Sequence, residues 1–296
     1  MKKNFSINLL LMVVLIIWAN SYVMIKIATR ELSPLSIATS RFFIIFPFLF
    51  FFPSLYRIKN LRREDILKIL ILAFLNVPSY HLAINKAETL INASTASLIS
   101  GLNPVLTGFL SSIFLKEKIH IKKFFGLFIS FFGLFLLTYG ISKGFKIENL
   151  IGVFFSLLSV LSWVISTIIS KPLFKKYEPI DTTIWIIFIG TFFLLPFIKE
   201  SNIKEILNMS NLTLYSILYL GFLAILFGYI FWYKGLKYKE ASTVSSFIYL
   251  NPIIGTVSGI VFLKEKLSFL SLIGGFFIIL GLFLINPFQM ENEKKD

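Results

Sequence analysis

Two ionisable side chains, Arg41 and His81, lie within long apolar runs, where such groups are rare. In a membrane they are costly unless they pair with another group or face water, so both are candidate functional residues. A guanidinium suits a substrate carboxylate, since it can form two parallel hydrogen bonds. A neutral imidazole offers one donor and one acceptor, and it titrates near physiological pH. The competing interpretations are an arginine that reaches back to the membrane surface and a histidine that only joins two helices.

Aromatic and amide side chains accompany these two residues. Tyr80 adjoins His81, and Tyr229 follows 148 residues later. Large rings beside a cavity can stack on an apolar or aromatic substrate, whereas amides can hydrogen-bond it. Packing between helices is the alternative, and the sequence favours it for the tryptophans. The predicted substrate-binding set is His81, Tyr80, Asn76, Trp163, Tyr229, Asn20, Trp18 and Arg41.

The composition predicts an integral membrane protein. Of 296 residues, 56% are hydrophobic and 35 are Phe, and the mean hydropathy is +0.83. A soluble domain could not bury that much apolar surface. The net charge of +14 is typical of basic loops against an anionic leaflet, so we expect a lipid partner and no nucleic acid. The chain has no cysteine, which excludes disulfides and thiolate metal sites.

The apolar runs predict an all-α protein. A helix needs about 20 apolar residues to cross a bilayer, and these runs do not alternate as membrane strands do. The first run resembles a signal peptide, but it lacks a small-residue cleavage site, so we expect it to be retained. Ten spans are predicted, near 7–29, 34–55, 66–86, 90–115, 122–140, 149–171, 180–198, 212–234, 240–263 and 268–287.

The chain also repeats itself with a fixed period, which is the strongest single signal of its architecture. The repeated groups are separated by 148 residues without a gap. They are Ala93-Ser94-Thr95 with Ala241-Ser242-Thr243, Asn103-Pro104 with Asn251-Pro252, Phe114–Lys118 with Phe262–Lys266, and Gly126 and Gly133 with Gly274 and Gly281. Two homologous domains are therefore predicted, over 1–145 and 146–296.

The period indicates that the two halves have opposite orientations. Span 4 matches span 9, and a repeat of five spans must insert the second copy upside down. The earlier parts of the halves match at an offset of 145, as in Trp18 and Trp163, so the second half gains three residues, most simply near 199–211. Lys and Arg are about twice as abundant in the segments that are cytoplasmic if the N-terminus is inside. The positive-inside rule thus places both termini in the cytoplasm.

The motifs together resemble a known family. They are Trp18-Ala19-Asn20-Ser21 with Lys26, Ser33-Pro34 before Arg41-Phe42, and the groups that occur twice. Their order over 7–287 resembles the drug/metabolite transporter superfamily, specifically the ten-helix EamA-type exporters. The resemblance implies movement of small metabolites, often amino acids, usually outward across a bacterial-type inner membrane. The chain departs from the family pattern at Asn20 and at Ile186, which replaces an arginine in the second copy.

Two prolines are candidate hinges. Pro104 and Pro252 lie near the middle of spans 4 and 9, and each frees the carbonyl group four residues earlier, at Ser100 and Ile248. Within lipid a freed carbonyl must find a partner or line a cavity. A static packing kink is the alternative. Pro78 has no counterpart in the second half, so we expect it to shape one side.

Comparison of the copies separates scaffold from site. Residues that recur, above all the glycines, favour shared packing, because two halves share a scaffold but need not share a ligand contact. Residues that differ, such as His81 against Tyr229 and Arg41 against Ile186, are better site candidates. Glu88 and the other acidic residues fall near span ends, which leaves a carboxylate proton relay unsupported.

The sequence therefore predicts a secondary transporter of small metabolites, as a monomer or homodimer. No Walker loop for ATP and no cluster of catalytic side chains is present, and we expect neither a cofactor nor an enzyme activity. The alternatives are a channel-like or structural subunit, and a transporter that imports another class such as nucleotide sugars or cofactors. The sequence predicts neither the substrate nor the coupling ion.

Overall fold

The computed structural model describes residues 2–91, 96, 99–142, 150–254 and 269–285, and every element in these ranges is helical. Two of the repeated motifs, Ala93-Ser94-Thr95 and Phe262–Lys266, lie outside the described residues. The first half contains α1 (Lys2–Ala28), α2 (Pro34–Leu49), α3 (Pro53–Tyr56), α4 (Arg63–Phe74), α5 (Tyr80–Glu88), α6 (Leu102–Phe114) and α7 (Ile121–Ser142). A 3₁₀ turn over Arg57–Asn60 follows α3.

The second half begins with two long helices and continues through shorter ones. They are α8 (Leu150–Leu173), α9 (Pro179–Leu194), α10 (Glu200–Leu207), α11 (Asn211–Leu218), α12 (Gly228–Tyr238), α13 (Ala241–Ser246) and α14 (Phe269–Ile285). Turns of 3₁₀ helix follow α9 at Leu195–Phe197 and α13 at Phe247–Tyr249.

Six helical segments of the described chain are long and apolar enough to cross a membrane. They are Ser6–Ile25, Arg63–Glu88, Ile121–Tyr139, Leu150–Leu173, Pro179–Phe197 and Asn211–Tyr238. A seventh candidate is the pair Pro34–Leu49 and Pro53–Asn60, which is bent by 84°. Leu102–Phe114 and Phe269–Ile285 are shorter apolar helices. Each of the ten predicted spans contains helix, and the described part of the chain agrees with the predicted all-α membrane protein.

The apolar surface agrees with a lipid surrounding. Large side chains such as Phe51 and Phe283 are 82% and 80% exposed. The buried core instead gathers around Trp163, Trp185 and Trp232, between helices of both halves. A chain that exposes phenylalanine on its outer faces is stable where those faces meet hydrocarbon.

Two π-helical segments interrupt the long helices that hold the candidate residues. Leu75–Ser79 joins α4 to α5, and Tyr219–Phe227 joins α11 to α12. Pro78 lies in the first segment, whereas Leu226 takes its place in the second. The irregularity therefore occurs in both halves, whereas proline lies only in the first of the two segments. That Pro78 shapes one side stays a prediction. Such segments widen a helix locally and are frequent at functional sites.

The two candidate hinge prolines each follow a break in a helix. Residues 99 and 100 are helical, Gly101 forms a turn, and α6 then begins with Pro104 in its first turn. Pro252 lies in the helical residues 250–254, directly after the 3₁₀ turn Phe247–Tyr249. The first turn of a helix tolerates proline because its amide has no helical partner there.

The helices α7 and α14 pack closely through their repeated glycines, and we call this contact the glycine seam. A Cβ atom on Gly126 would lie 2.6 Å from the carbonyl oxygen of Gly281, and one on Gly133 would lie 2.7 Å from that of Gly274. Midway between them, Ser130 donates a 3.3 Å hydrogen bond to the carbonyl group of Ile278, 148 residues away. Only glycine permits backbones to approach so closely.

Contacts between the halves also join two of the repeated motifs. The carboxylate of Glu117 accepts hydrogen bonds from the backbone N–H of Ala241 at 2.6 Å and from the Ser242 hydroxyl at 2.8 Å. Lys123 pairs with Glu240 and bonds Thr243 at 2.8 Å. The start of α13 is thus capped by a carboxylate from the other half, where the amide groups favour negative charge.

Candidate substrate cavity

A cavity of about 120 Å³ lies between helices of both halves. Helices α1, α2, α5 and α8 line it, together with the π-helical segment before α12, Tyr229 and residues from both Asn-Pro motifs. The polar and aromatic lining consists of Trp18, Ser21, Arg41, Tyr80, His81, Glu88, Ser100, Asn103, Ser159, Trp163, Tyr229 and Asn251. Small-molecule sites commonly combine such an apolar wall with a few converging polar groups.

Arg41 is buried and held by hydrogen bonds on three sides. Its Nε donates to the carbonyl group of Ile37 at 3.2 Å, one turn earlier in α2. One terminal nitrogen donates to Asn85 Oδ1 at 2.9 Å and the other lies 3.2 Å from His81 Nδ1. Asn85 is itself fixed, because its amide donates to the carbonyl group of Pro34. The guanidinium therefore faces inward and does not reach back to the membrane surface.

His81 lies at the centre of a directed hydrogen-bond chain. A guanidinium can only donate, so His81 Nδ1 accepts from Arg41 and the ring proton of the neutral imidazole is on Nε2. Nε2 lies 3.1 Å from the hydroxyl of Tyr229, which donates onward to the carbonyl group of Asn76 at 3.2 Å. A second proton on Nδ1 would break the bond to Arg41 and place two cations side by side. The hydrogen-bond chain thus favours a neutral His81.

Aromatic rings form the other wall of the cavity. Trp18 and Trp163 meet edge to face with ring centroids 5.3 Å apart, and Trp163 lies 5.4 Å from Tyr80 and 5.6 Å from Tyr229. Trp18 is fixed by a 2.9 Å hydrogen bond from its Nε1 to the carbonyl group of Ala224. Trp163 Nε1, in contrast, is buried and has no hydrogen-bond partner in the described part of the chain.

No cluster of three or more His, Asp, Glu or Cys side chains that could hold a metal ion occurs among the described residues. The cavity instead offers a fixed cation, an aromatic wall and several hydrogen-bonding groups. This arrangement can bind a small organic molecule that carries both an anionic and an apolar part.

Comparisons with known proteins identify the family. The model of the EamA-like transporter family matches residues 5–139 and again residues 150–286. The chain belongs to the EamA-like transporter family. The resemblance found in the sequence is thereby confirmed, and the chain is a multi-pass membrane transporter of the EamA type.

Several relatives of this EamA-like transporter cover nearly its whole length. An uncharacterized transporter of Archaeoglobus fulgidus is 30% identical over 90% of this chain and 94% of its own. A probable amino-acid metabolite efflux pump of Escherichia coli is 26% identical over 97% and 96%. A probable terminal-alkyne amino-acid exporter of Streptantibioticus cattleyicolor is 24% identical over 93% and 92%. A crystal structure with 15% identity superposes with a TM-score of 0.73 over 94% of this chain and 96% of its own, and it supports the fold.

Most of the residues that the sequence predicts as a site come together in the EamA-like transporter. Trp18, Arg41, Tyr80, His81, Trp163 and Tyr229 line the cavity. Asn20 does not line it, and its side-chain amide donates to the carbonyl group of Ile16 in its own helix. Asn76 lies behind the wall, where its carbonyl group holds Tyr229 and its side chain accepts a 3.3 Å hydrogen bond from Ser166.

Other lining residues are missing from the sequence prediction. Asn103 and Asn251 recur in both copies, a pattern that favours shared machinery over a solute contact, yet both line the cavity. The freed carbonyl groups predicted at Ser100 and Ile248 belong to lining residues as well. Glu88 lies at the end of α5, which is why its sequence position suggests an interface. Its spacing of seven residues from His81, two turns along one helix face, is the signal that could have found it.

Proposed function

We propose that this EamA-like transporter is a secondary transporter that exports small metabolites, amino acids or related compounds, across the plasma membrane by alternating access. The observation that carries the proposal is the cavity lined by both halves, with Arg41 fixed in its wall. A solute bound there contacts both halves at once, so movement of one half against the other can expose it to either side. Two relatives, named as a probable amino-acid metabolite efflux pump and a probable terminal-alkyne amino-acid exporter, favour amino acids as cargo.

We further propose ten crossings built as two inverted five-helix repeats, with both termini cytoplasmic. Contacts between repeat counterparts support this arrangement. His81 bonds Tyr229, Trp18 meets Trp163, and Ser130 bonds Ile278. Counterparts of an inverted pair lie opposite each other across a two-fold axis, so they can touch where they lie close to that axis.

The reciprocal contacts of the glycine seam point to the same axis. Gly126 approaches Gly281, which is the counterpart of Gly133, and Gly133 approaches Gly274, which is the counterpart of Gly126. Two antiparallel copies related by a two-fold axis produce this exchange of partners. The prolines Pro104 and Pro252, each next to a helix break, are then hinges at equivalent places in the two halves.

Transport is tested with the purified full chain in proteoliposomes. A metabolite panel screened for resistance in overproducing cells supplies the solutes, and their flux into vesicles is then measured against concentration. Saturable flux is expected. Flux that rises without saturation and carries ionic current would contradict the proposal and favour a channel.

The role of the cavity is tested by His81→Ala in the same vesicles. The replacement removes the link between Arg41 and Tyr229, so we expect transport to fall about tenfold or more, as the loss of a hydrogen bond to a charged group implies. The amount of folded protein should be unchanged in size-exclusion chromatography. Unchanged kinetics would remove His81 from the site.

A further inference from the structure

Glu88 is an ionisable side chain of the cavity lining that takes no part in the hydrogen-bond chain from Arg41 through His81 to Tyr229. It follows His81 by seven residues and Asn85 by three, so the three side chains lie on one face of α5, with Glu88 about 4.5 Å further along the axis than Asn85. Asn85 and His81 hold the Arg41 guanidinium. The cavity wall therefore presents a cation and, about one helical turn away, a carboxyl group.

The Glu88 carboxyl group has an unsatisfied buried atom. Its Oε1 is shielded from solvent and has no hydrogen-bond partner in the described ranges. Asn251 Oδ1, which belongs to another lining residue from the opposite half, is in the same condition. A buried acceptor without a donor costs free energy, and more so when it is charged. Two such acceptors in one cavity indicate a ligand group rich in N–H donors.

Hydrogen-bond donors in the cavity also lack partners among the described residues. Arg41 uses three hydrogen bonds of the five that a guanidinium can donate. It forms no ion pair with any carboxylate of the described residues, Glu88 included. Trp163 Nε1 also lacks a partner there. A carboxylate, which is purely an acceptor, would satisfy these donors.

We propose that Glu88 is a specificity-determining residue that binds a primary ammonium group, so that the cavity takes zwitterions. The carboxylate of the solute lies against Arg41 and Trp163, and its ammonium group lies against Glu88 and Asn251. An ammonium group has three donors and no acceptor, which matches the two free oxygens. The aromatic rings of Trp18 and Tyr80 then contact the apolar side chain of the solute.

A zwitterion fits this cavity better than a free cation or a free anion. A metal ion would be repelled by Arg41, and the described residues contain no group of three or more His, Cys, Asp or Glu side chains that could hold one. An anion alone would satisfy Arg41 but would be repelled by Glu88. Neighbouring opposite charges on one solute satisfy both ends, and the discrimination arises because a solute without one of them leaves a buried charge unpaired. This inference rests on the proposed function of the cavity as the transport site.

The test is competition in proteoliposomes with matched solutes. Uptake of labelled leucine and phenylalanine is inhibited with the same amino acids and with their 2-oxo acids, which lack the ammonium group. The wild type should prefer the amino acid at least tenfold. Glu88→Gln should weaken inhibition by the amino acid about tenfold or more, as loss of one charge-assisted hydrogen bond implies. Inhibition by the 2-oxo acid should be unchanged or stronger.

Two further variants keep the test decisive. Glu88→Asp retains the charge and should retain preference for the amino acid. That result would show that the loss in Glu88→Gln does not come from misfolding caused by any change at this position. Glu200→Gln is the matched control, because Glu200 is exposed and pairs with Lys204 on α10. Ligand-induced thermal stabilisation in detergent measures binding separately from flux.

The outcomes separate the two proposals. Equal losses for amino acid and 2-oxo acid in Glu88→Gln would make Glu88 a structural residue and overturn the inference. Unchanged preference with loss of substrate-driven proton movement would make it a proton carrier, which also overturns it. Saturable flux of other panel solutes without any response to amino acids would leave transport standing and reject the zwitterion. Binding of amino acids with Glu88-dependent preference but no flux would reject transport instead.

Discussion

The glycine seam and the central cavity both bring the two halves together, but they are built in opposite ways. In the seam the same residue type stands at equivalent positions, and the contacts are reciprocal. In the cavity His81 faces Tyr229, and Arg41 has the apolar counterpart Ile186. A symmetric contact is enough to hold two similar halves. An asymmetric solute needs an asymmetric wall. The two halves therefore carry different residues at the positions that place ionisable side chains in the cavity.

The largest expected effect is on the seam. A Cβ atom on Gly274 would lie 2.6 Å from the carbonyl oxygen of Gly133 and would also meet the backbone of Leu137. Backbone atoms cannot turn aside as a flexible side chain can, so the two helices must separate. We expect Gly274→Ala to lower the free energy of unfolding by about 3 kcal/mol, with strong loss of folded protein.

The neighbouring glycine supplies the matched control. A Cβ atom on Gly275 would meet nothing within 4 Å. Because alanine is a better helix former than glycine, Gly275→Ala should be neutral or stabilising. Thermal unfolding of both variants in detergent measures the difference. Equal unfolding temperatures would show that the seam does not hold the halves together.

The next effect is on the cavity, where function should fall more than stability. Arg41→Lys keeps the positive charge but replaces a planar group that donates in three directions by a single ammonium group. We expect flux to fall about tenfold or more, while the unfolding temperature changes less than in Gly274→Ala. Arg30→Lys is the control, since Arg30 is exposed in the turn that follows α1. If both arginine variants transport like the wild type, the guanidinium geometry is not part of the site.

The comparison also shows which parts of the molecule the sequence could predict. The apolar runs predicted the helices, because a run of about 20 apolar residues in a chain of this composition has few other structures available. The offset of 148 predicted that His81 and Tyr229 are equivalent, and the structure places them in direct contact at 3.1 Å. The repeated glycines predicted close packing, which the seam displays.

Other features depend on packing that no local pattern records. The rule that repeated residues are scaffold fails at Asn103 and Asn251, because equivalent residues of the two halves face the same cavity. The π-helical segment at Tyr219–Phe227 contains no proline from which it could be predicted. Glu88 looked interfacial because it ends a helix, yet it lines the cavity. The position of a residue within a predicted span is therefore a poor guide to whether it lines the cavity.

The smallest expected effect is a change in stability at a region that differs between the halves and lies away from the cavity. In the segment 199–211, where the second half has its predicted insertion, Glu205 on α10 accepts hydrogen bonds from the backbone N–H of Ser33 at 2.7 Å and from the Ser36 hydroxyl at 2.6 Å. These bonds fix α10 to the start of α2. Burial raises the pKa of Glu205, but the hydrogen bonds from Ser36 and Ser33 outweigh it, so the pKa is lowered from the ordinary value of 4.5.

A lowered carboxyl pKa means that the folded state favours the charged form. Its stabilisation is fully present above pH 4.5, the ordinary value, and is lost as the pH falls through the lower folded value. We expect Glu205→Gln to cost about 1 kcal/mol at neutral pH and to flatten part of the acid loss of stability, with transport unchanged. Thermal unfolding measured from neutral to acid pH, with Glu200→Gln as control, checks this. A large loss of transport would mean that residues differing between copies act in function even outside the cavity.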